Sequence, residues 1–391
     1  MVRRQREVLE RFPLDVAGRN ALADAMARST STAVATGVMD SMPTFISEPV
    51  RTGFVVNQTL LGLTVFGPAA AAMIAEPAAS SAAYLAVAGG TFFYAAGLTQ
   101  STPVSRAQNH LATHSAVRGA IAANLALYAL AGDAIEGQAA AAAILVGGIL
   151  GDVVGFQLAK PMTDAEAHGT SHGSTVTALT TYGVMGALGA YNDSTSDVTP
   201  RIASAIILGA GAAGYPLGLR FVRTSPYRVT AGDVGAMFTA ELLGLGAAAT
   251  LIPDSASIQL GFGLLTAGYV GGAILGDRLL VRKFDHTESD ARLLGLGTTA
   301  GALMGIALPV AGRATSGRVY LGMATVGGIF GAMATENFIK PARARGRDEA
   351  GRRTGSSTGR MKNVDVSFSP QGAVMAGSGI KGHHSLLSLR F

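Results

Sequence analysis

Four histidines are the residues best placed to do chemistry. His110 and His114 form one pair and His168 and His172 another, each with i, i+4 spacing. That spacing sets both imidazoles of a pair on one helix face, about 6 Å apart. If the two helices lie side by side, four imidazoles can converge on Zn²⁺ or another transition metal. A duplicated polar helix start at a wet interface gives the same pattern without a ligand. Two carboxylates come next. Asp152 and Glu241 interrupt otherwise apolar runs, where an ionisable group is costly and marks a pathway, a proton relay or a buried partner. The alternative for each is an inert carboxylate that only helps helices pack. Asp277, beside Arg278, belongs near a helix end.

No Ser-His-Asp set and no phosphate loop accompanies them. Gly209, Gly211 and Gly214 spell GxGxxG, but no strand precedes them, so they read as a helix-packing motif. The chain has no cysteine, which removes disulfides, thiolate ligands and cysteine nucleophiles. The expectation is a protein without enzymatic activity and without a cofactor beyond that possible metal.

The elements that position these residues repeat. Pro103 to His114 and Pro161 to His172 share a proline, a hydroxyl residue, an alanine, Gln or Glu, and the two histidines in the same order. Such self-similarity marks a repeat architecture. Ser105 with Gln108 and Thr163 with Glu166 have capping-box spacing, and Thr230 with Asp233 and Thr287 with Asp290 repeat it with the shorter acid. Between these signals lie ten weakly charged runs, most of them near the roughly 17–25 residues a membrane-crossing helix needs. They pair into five tandem αα-hairpins, 51–104, 105–162, 163–229, 230–286 and 287–340. The second helix of a hairpin carries glycines four apart: Gly147, Gly151 and Gly155; Gly214 and Gly218; Gly268, Gly272 and Gly276; Gly327 and Gly331. In lipid, small residues at this spacing let helix backbones approach closely.

Composition agrees with a membrane. Of 391 residues 49% are hydrophobic and only 14% charged, against about 25% charged in soluble domains. The net charge of +5 does not point to nucleic acid, because the basic residues are not interleaved with aromatics. Instead Arg106, Lys160, Arg220, Arg223, Arg228, Arg278, Arg282, Lys283 and Lys340 sit between hairpins, while turns inside hairpins are mostly acidic, with Arg201, Arg313 and Arg318 as exceptions. Cytoplasmic loops are enriched in Lys and Arg, so both termini are expected on the cytoplasmic side of a bacterial inner membrane. The lipid bilayer is the expected partner, with a homo-oligomer as a further one.

Residues 1–50 read as a basic amphipathic segment and 341–362 as a basic flexible linker. In 363–391, Val364, Val366 and Phe368, then Leu387, Leu389 and Phe391, alternate with polar residues as in strands. The last three resemble the C-terminal sorting signal of bacterial outer-membrane β-barrels, which would imply an outer-membrane barrel instead. The run Ala139–Ala143 speaks against a barrel, since alanine favours helix and is depleted in strands. The functional expectation is a membrane scaffold or pore. The rivals are a transporter or channel for ions, protons or metal that uses Glu241, Asp152 and the histidines, and an outer-membrane protein.

Overall fold

The computed structural model of the chain describes residues 2–5, 8–11, 48–191, 199–351, 365–368 and 387–390, with side chains over 50–191 and 199–339. These residues are nearly all helical, in ten helices. Helix α1 runs Glu48–Leu61, passes through a π turn at Gly62–Phe66 and continues over Gly67–Ala72. It is followed by α2 (Pro77–Ser101), α3 (Arg106–Ala131) and α4 (Gly137–Leu158). Next come α5 (Asp164–Ala187), α6 (Pro200–Thr224) and α7 (Ala231–Leu251). Then α8 (Ile258–Gly276) continues through a π turn at Asp277–Val281, and α9 (Glu288–Ala311) and α10 (Gly317–Gly351) complete the set.

The helix starts form where the side chains can satisfy orphan N–H groups. All four anticipated capping boxes are made, at Ser105, Thr163, Thr230 and Thr287. At Thr163 the hydroxyl accepts from the Glu166 N–H at 3.2 Å and the Glu166 carboxylate accepts from the Thr163 N–H at 2.9 Å. The same carboxylate holds Arg223 at 2.7 Å. Thr163→Ala is therefore expected to cost about 1 kcal/mol. A melt of the detergent-solubilised protein should fall by about 2–4 °C.

Eight helices are long and apolar enough to cross a membrane. Large apolar side chains point outward along them, among them Phe93 at 74% and Leu130 at 79% exposure. A water-facing surface so rich in apolar groups would associate; in lipid it is the ordinary condition. The chain is a helical membrane protein, and a barrel is ruled out as the fold of the described residues. Their strands are four short ones in two antiparallel pairs, β1 (Val2–Gln5) with β2 (Val8–Arg11) and β3 (Asp365–Phe368) with β4 (Leu387–Arg390).

Helix α5 is missing from the eight apolar ones. It carries His168, Ser171, His172, Ser174, Thr175 and Thr177, and it packs against α3, α6, α7 and α8. A polar helix surrounded in this way keeps its side chains off lipid and gives them partners. Sequential helices pack closely as α3 with α4, α5 with α6 and α7 with α8, and further contacts join α1 to α3, α3 to α5, α5 to α7 and α7 to α9.

Glycine sets the close pairs. A Cβ on Gly173 of α5 would lie 2.6 Å from the Gly218 Cα, and one on Gly272 of α8 would lie 2.5 Å from the Ala240 carbonyl oxygen. The other second-helix glycines also face a neighbour. Gly147 and Gly151 oppose Gly119; Gly155 opposes Leu111 and Ser115; Gly214 opposes Gly173; Gly268 opposes Gly244; Gly276 opposes Ala240; Gly327 and Gly331 oppose Gly301. The sequence reading missed the first-helix glycines. Their signal was available, because Gly119, Gly244 and Gly301 each lie fourteen residues after their cap.

Four local features go beyond the sequence expectation. Helix α10 runs on to Gly351 instead of yielding to a linker at 341, because its Ala, Arg and Glu residues are strong helix formers. Residues within the expected amphipathic segment form the β1–β2 pair. Arg201, which broke the charge rule, donates to the Ala129 carbonyl at 3.1 Å and to the Leu130 carbonyl, so it caps the C-terminus of α3. Asp277 pairs with Arg282 at 2.7 Å, not with adjacent Arg278, and also accepts from the Tyr227 hydroxyl. Burial, then that hydrogen bond, pushes the Tyr227 phenol up to about 12. Residues 1, 6–7, 12–47, 192–198, 352–364, 369–386 and 391 lie outside the described residues. The chain divides into two units, 1–336 with most of the helices and 337–391 with the end of α10 and the β3–β4 pair.

Candidate functional site

The polar side chains of α5 meet those of α3 and α7 in one buried seam. His168 and His110 stack face to face, with ring centroids 3.6 Å apart and planes 13° from parallel. The Ser171 hydroxyl donates to the His168 carbonyl at 2.8 Å. Its oxygen therefore accepts from His110 Nε2, also at 2.8 Å, which puts the His110 proton on Nε2. His168 Nδ1 donates to the Asp164 carbonyl at 2.9 Å. One turn further on, His114 neighbours His168, His172 and Arg118. His172 Nε2 lies 3.1 Å from Glu241 Oε1, the histidine 9% exposed and the carboxylate fully buried. The Tyr269 hydroxyl of α8 faces the same carboxylate.

Arg118 and two hydroxyls complete the seam. The Arg118 guanidinium donates to the Ser174 carbonyl at 3.3 Å, and the Ser115 hydroxyl meets the Tyr215 hydroxyl at 3.1 Å. Glu241 stands eleven residues after its cap, about 16 Å along α7 and at the midpoint of that 21-residue helix. Among the described residues, several members have no well-aligned hydrogen bond to another protein group: His114 Nε2, His172 Nε2, both Glu241 oxygens and the Tyr269 hydroxyl. The His172–Glu241 approach is thus a contact of charge-pair distance rather than a formed hydrogen bond. In a low-dielectric interior such groups are costly.

The four histidines converge, as side-by-side helices require, but they do not converge as metal ligands. Stacked rings turn their nitrogens past each other, and the nitrogens of His110 and His168 named above already have partners. Among the described residues no group of three or more His, Asp or Glu side chains is disposed to hold a metal ion. The two acids also part company. Asp152 of α4 accepts from Gln58 of α1 at 2.8 Å, and α4 packs between α1 and α3 rather than on the seam.

A second buried cluster was not foreseen. His286 precedes α9 and is 1% exposed. Its Nδ1 lies 2.9 Å from Asp233 Oδ1 and its Nε2 3.2 Å from Glu336 Oε2. The His286 N–H donates to Asp233 Oδ1 at 2.8 Å, and Asp233 Oδ2 accepts from the Thr230 N–H at 2.9 Å. One carboxylate therefore closes the capping box of α7 and fixes the approach to α9, while Glu336 ties in α10. By its spacing alone Asp233 reads only as a cap residue. His286, immediately before Thr287, was the unread signal.

No family model, characterised protein or solved structure matches this chain. Its function is argued from its own residues. Arg118, Tyr215 and Tyr269 were missed there too, although Ser105 and the helix period place Arg118 at the midpoint of α3.

Proposed function

We propose that this is a non-enzymatic bacterial inner-membrane protein of five tandem helical hairpins whose buried seam conducts protons or a small cation. The observation that carries the reading is the contact between His172 and Glu241 at the midpoint of α7, 3.1 Å apart, continued by the stacked His110 and His168. Intramembrane ionisable groups of this kind are costly unless used. Support for the repeat comes from the recurring contacts: the first helices of successive hairpins touch in series, and α6 and α8 pack on α3 and α5, the first helices of the preceding hairpins. Support for cytoplasmic termini comes from the basic residues between hairpins.

The test is proton uptake by liposomes carrying the purified protein under an imposed membrane potential. Wild type should acidify the lumen, Glu241→Gln should reduce the rate at least tenfold, and Asp152→Asn should leave it within twofold. A wild-type rate equal to that of empty liposomes, with sodium and potassium also impermeant, removes the reading. A packed scaffold is the second reading, favoured by the glycine crossings, and it would then stand.

A further inference from the structure

A cavity of about 860 Å³ opens beside the seam, between α3, α4, α5 and α6. Small-molecule sites span about 300–1,000 Å³ and are mostly apolar with a few polar groups that fix orientation. This one fits that description. Ile121, Leu125, Val154, Leu158, Ile207 and Leu208 form apolar walls. Arg118 is the only charged side chain in the lining, and Ser115, Ser174 and Tyr215 line the cavity with it.

Arg118 is short of partners. Among the described residues it forms no ion pair, and its one hydrogen bond goes to the Ser174 carbonyl. A guanidinium has five N–H donors and keeps its charge. A partly buried cation without a counter-charge is costly, and a carboxylate gripped by two parallel N–H donors relieves it. Gly211 of α6 keeps the guanidinium free of crowding, since a Cβ there would lie 3.0 Å from an Arg118 nitrogen.

We propose that this cavity binds a hydrophobic monocarboxylate, with Arg118 as its counter-ion and the apolar walls around its body. One guanidinium answers one negative charge, and the walls offer nothing to a second. The lining runs along α6 from Ser204 to Tyr215, about 16 Å, which sets the length of the apolar body. Arg118 is the thirteenth of the twenty-six residues of α3, about 20 Å from its start. A phospholipid keeps its headgroup at the interface, so a cation at this depth selects a ligand carried wholly into the membrane core. Substrate sites of transporters lie at such a midplane. The inference rests on the chain being membrane-embedded and does not require the seam to conduct.

Dansyl-undecanoate added to the full chain in a non-ionic detergent tests it. Wild type should bind the probe saturably with a blue-shifted emission, and laurate should displace it while dodecanol and dodecyltrimethylammonium do not. Arg118→Gln should weaken binding at least tenfold, with Arg118→Lys in between. Leu208→Trp, which narrows the cavity and leaves Arg118 in place, should also weaken it, so the site is tested even if the charge variant misfolds. Equal affinity of wild type and both Arg118→Gln and Leu208→Trp overturns the proposal, as does equal displacement by dodecanol. Lost binding with intact proton flux sinks the anion site alone; lost flux with intact binding sinks the proton reading alone.

Discussion

Gly173→Val is expected to abolish the packed state of the helical unit. The side chain would be built into the backbone of α6, with its Cβ 2.6 Å from both the Cα and the N of Gly218. Backbone cannot turn aside as a flexible side chain can, so α5 and α6 must separate. Overpacking typically costs about 1–3 kcal/mol when the neighbours are side chains, and a backbone obstacle belongs at or beyond the top of that range. Separation would not stay local, because α5 also packs on α3, α7 and α8 and carries His168 and His172. Size-exclusion chromatography of the purified protein should show aggregation or loss of the monodisperse peak. Gly209→Val and Gly295→Val are the controls, since a Cβ at either position meets nothing within 4 Å. If Gly173→Val melts within about 2 °C of these controls, the glycine crossings do not hold the helices together.

Asp233→Ala should be the most damaging change of a single polar side chain. It would strip His286 of the carboxylate that meets both its ring and its backbone N–H, and it would open the capping box of α7. Breaking a buried charged pair from one side costs about 3–5 kcal/mol. Asp233→Asn should cost less, about 1–3 kcal/mol, since one amide oxygen can serve either the His286 N–H or the Thr230 N–H but not both. Equilibrium unfolding in mixed detergent, followed by circular dichroism, ranks the two against wild type. An Asp233→Ala protein as stable as wild type would mean that His286 finds equivalent partners elsewhere and that the cluster does not join α7, α9 and α10.

What the sequence determined by itself was everything that neighbours along the chain decide. Helix starts were legible because Ser105, Thr163, Thr230 and Thr287 meet their partners three residues later. The ten helices and their membrane setting were legible from run lengths and missing charge, and the close faces from glycines one turn apart. Partner choice was not. Asp152 and Glu241 look alike in sequence, yet one faces Gln58 and the other His172. Of the four histidines at ligand spacing, His110 and His168 stack on each other and bond to Ser171 and to the Asp164 carbonyl, while His172 faces Glu241. Asp233 reaches His286 across 53 residues, and Arg118 becomes the lone cation lining a cavity. Each outcome depends on how far one helix is rotated and shifted against the next. Periodicity fixes which residues share a face, whereas the packing of several helices at once fixes what that face meets.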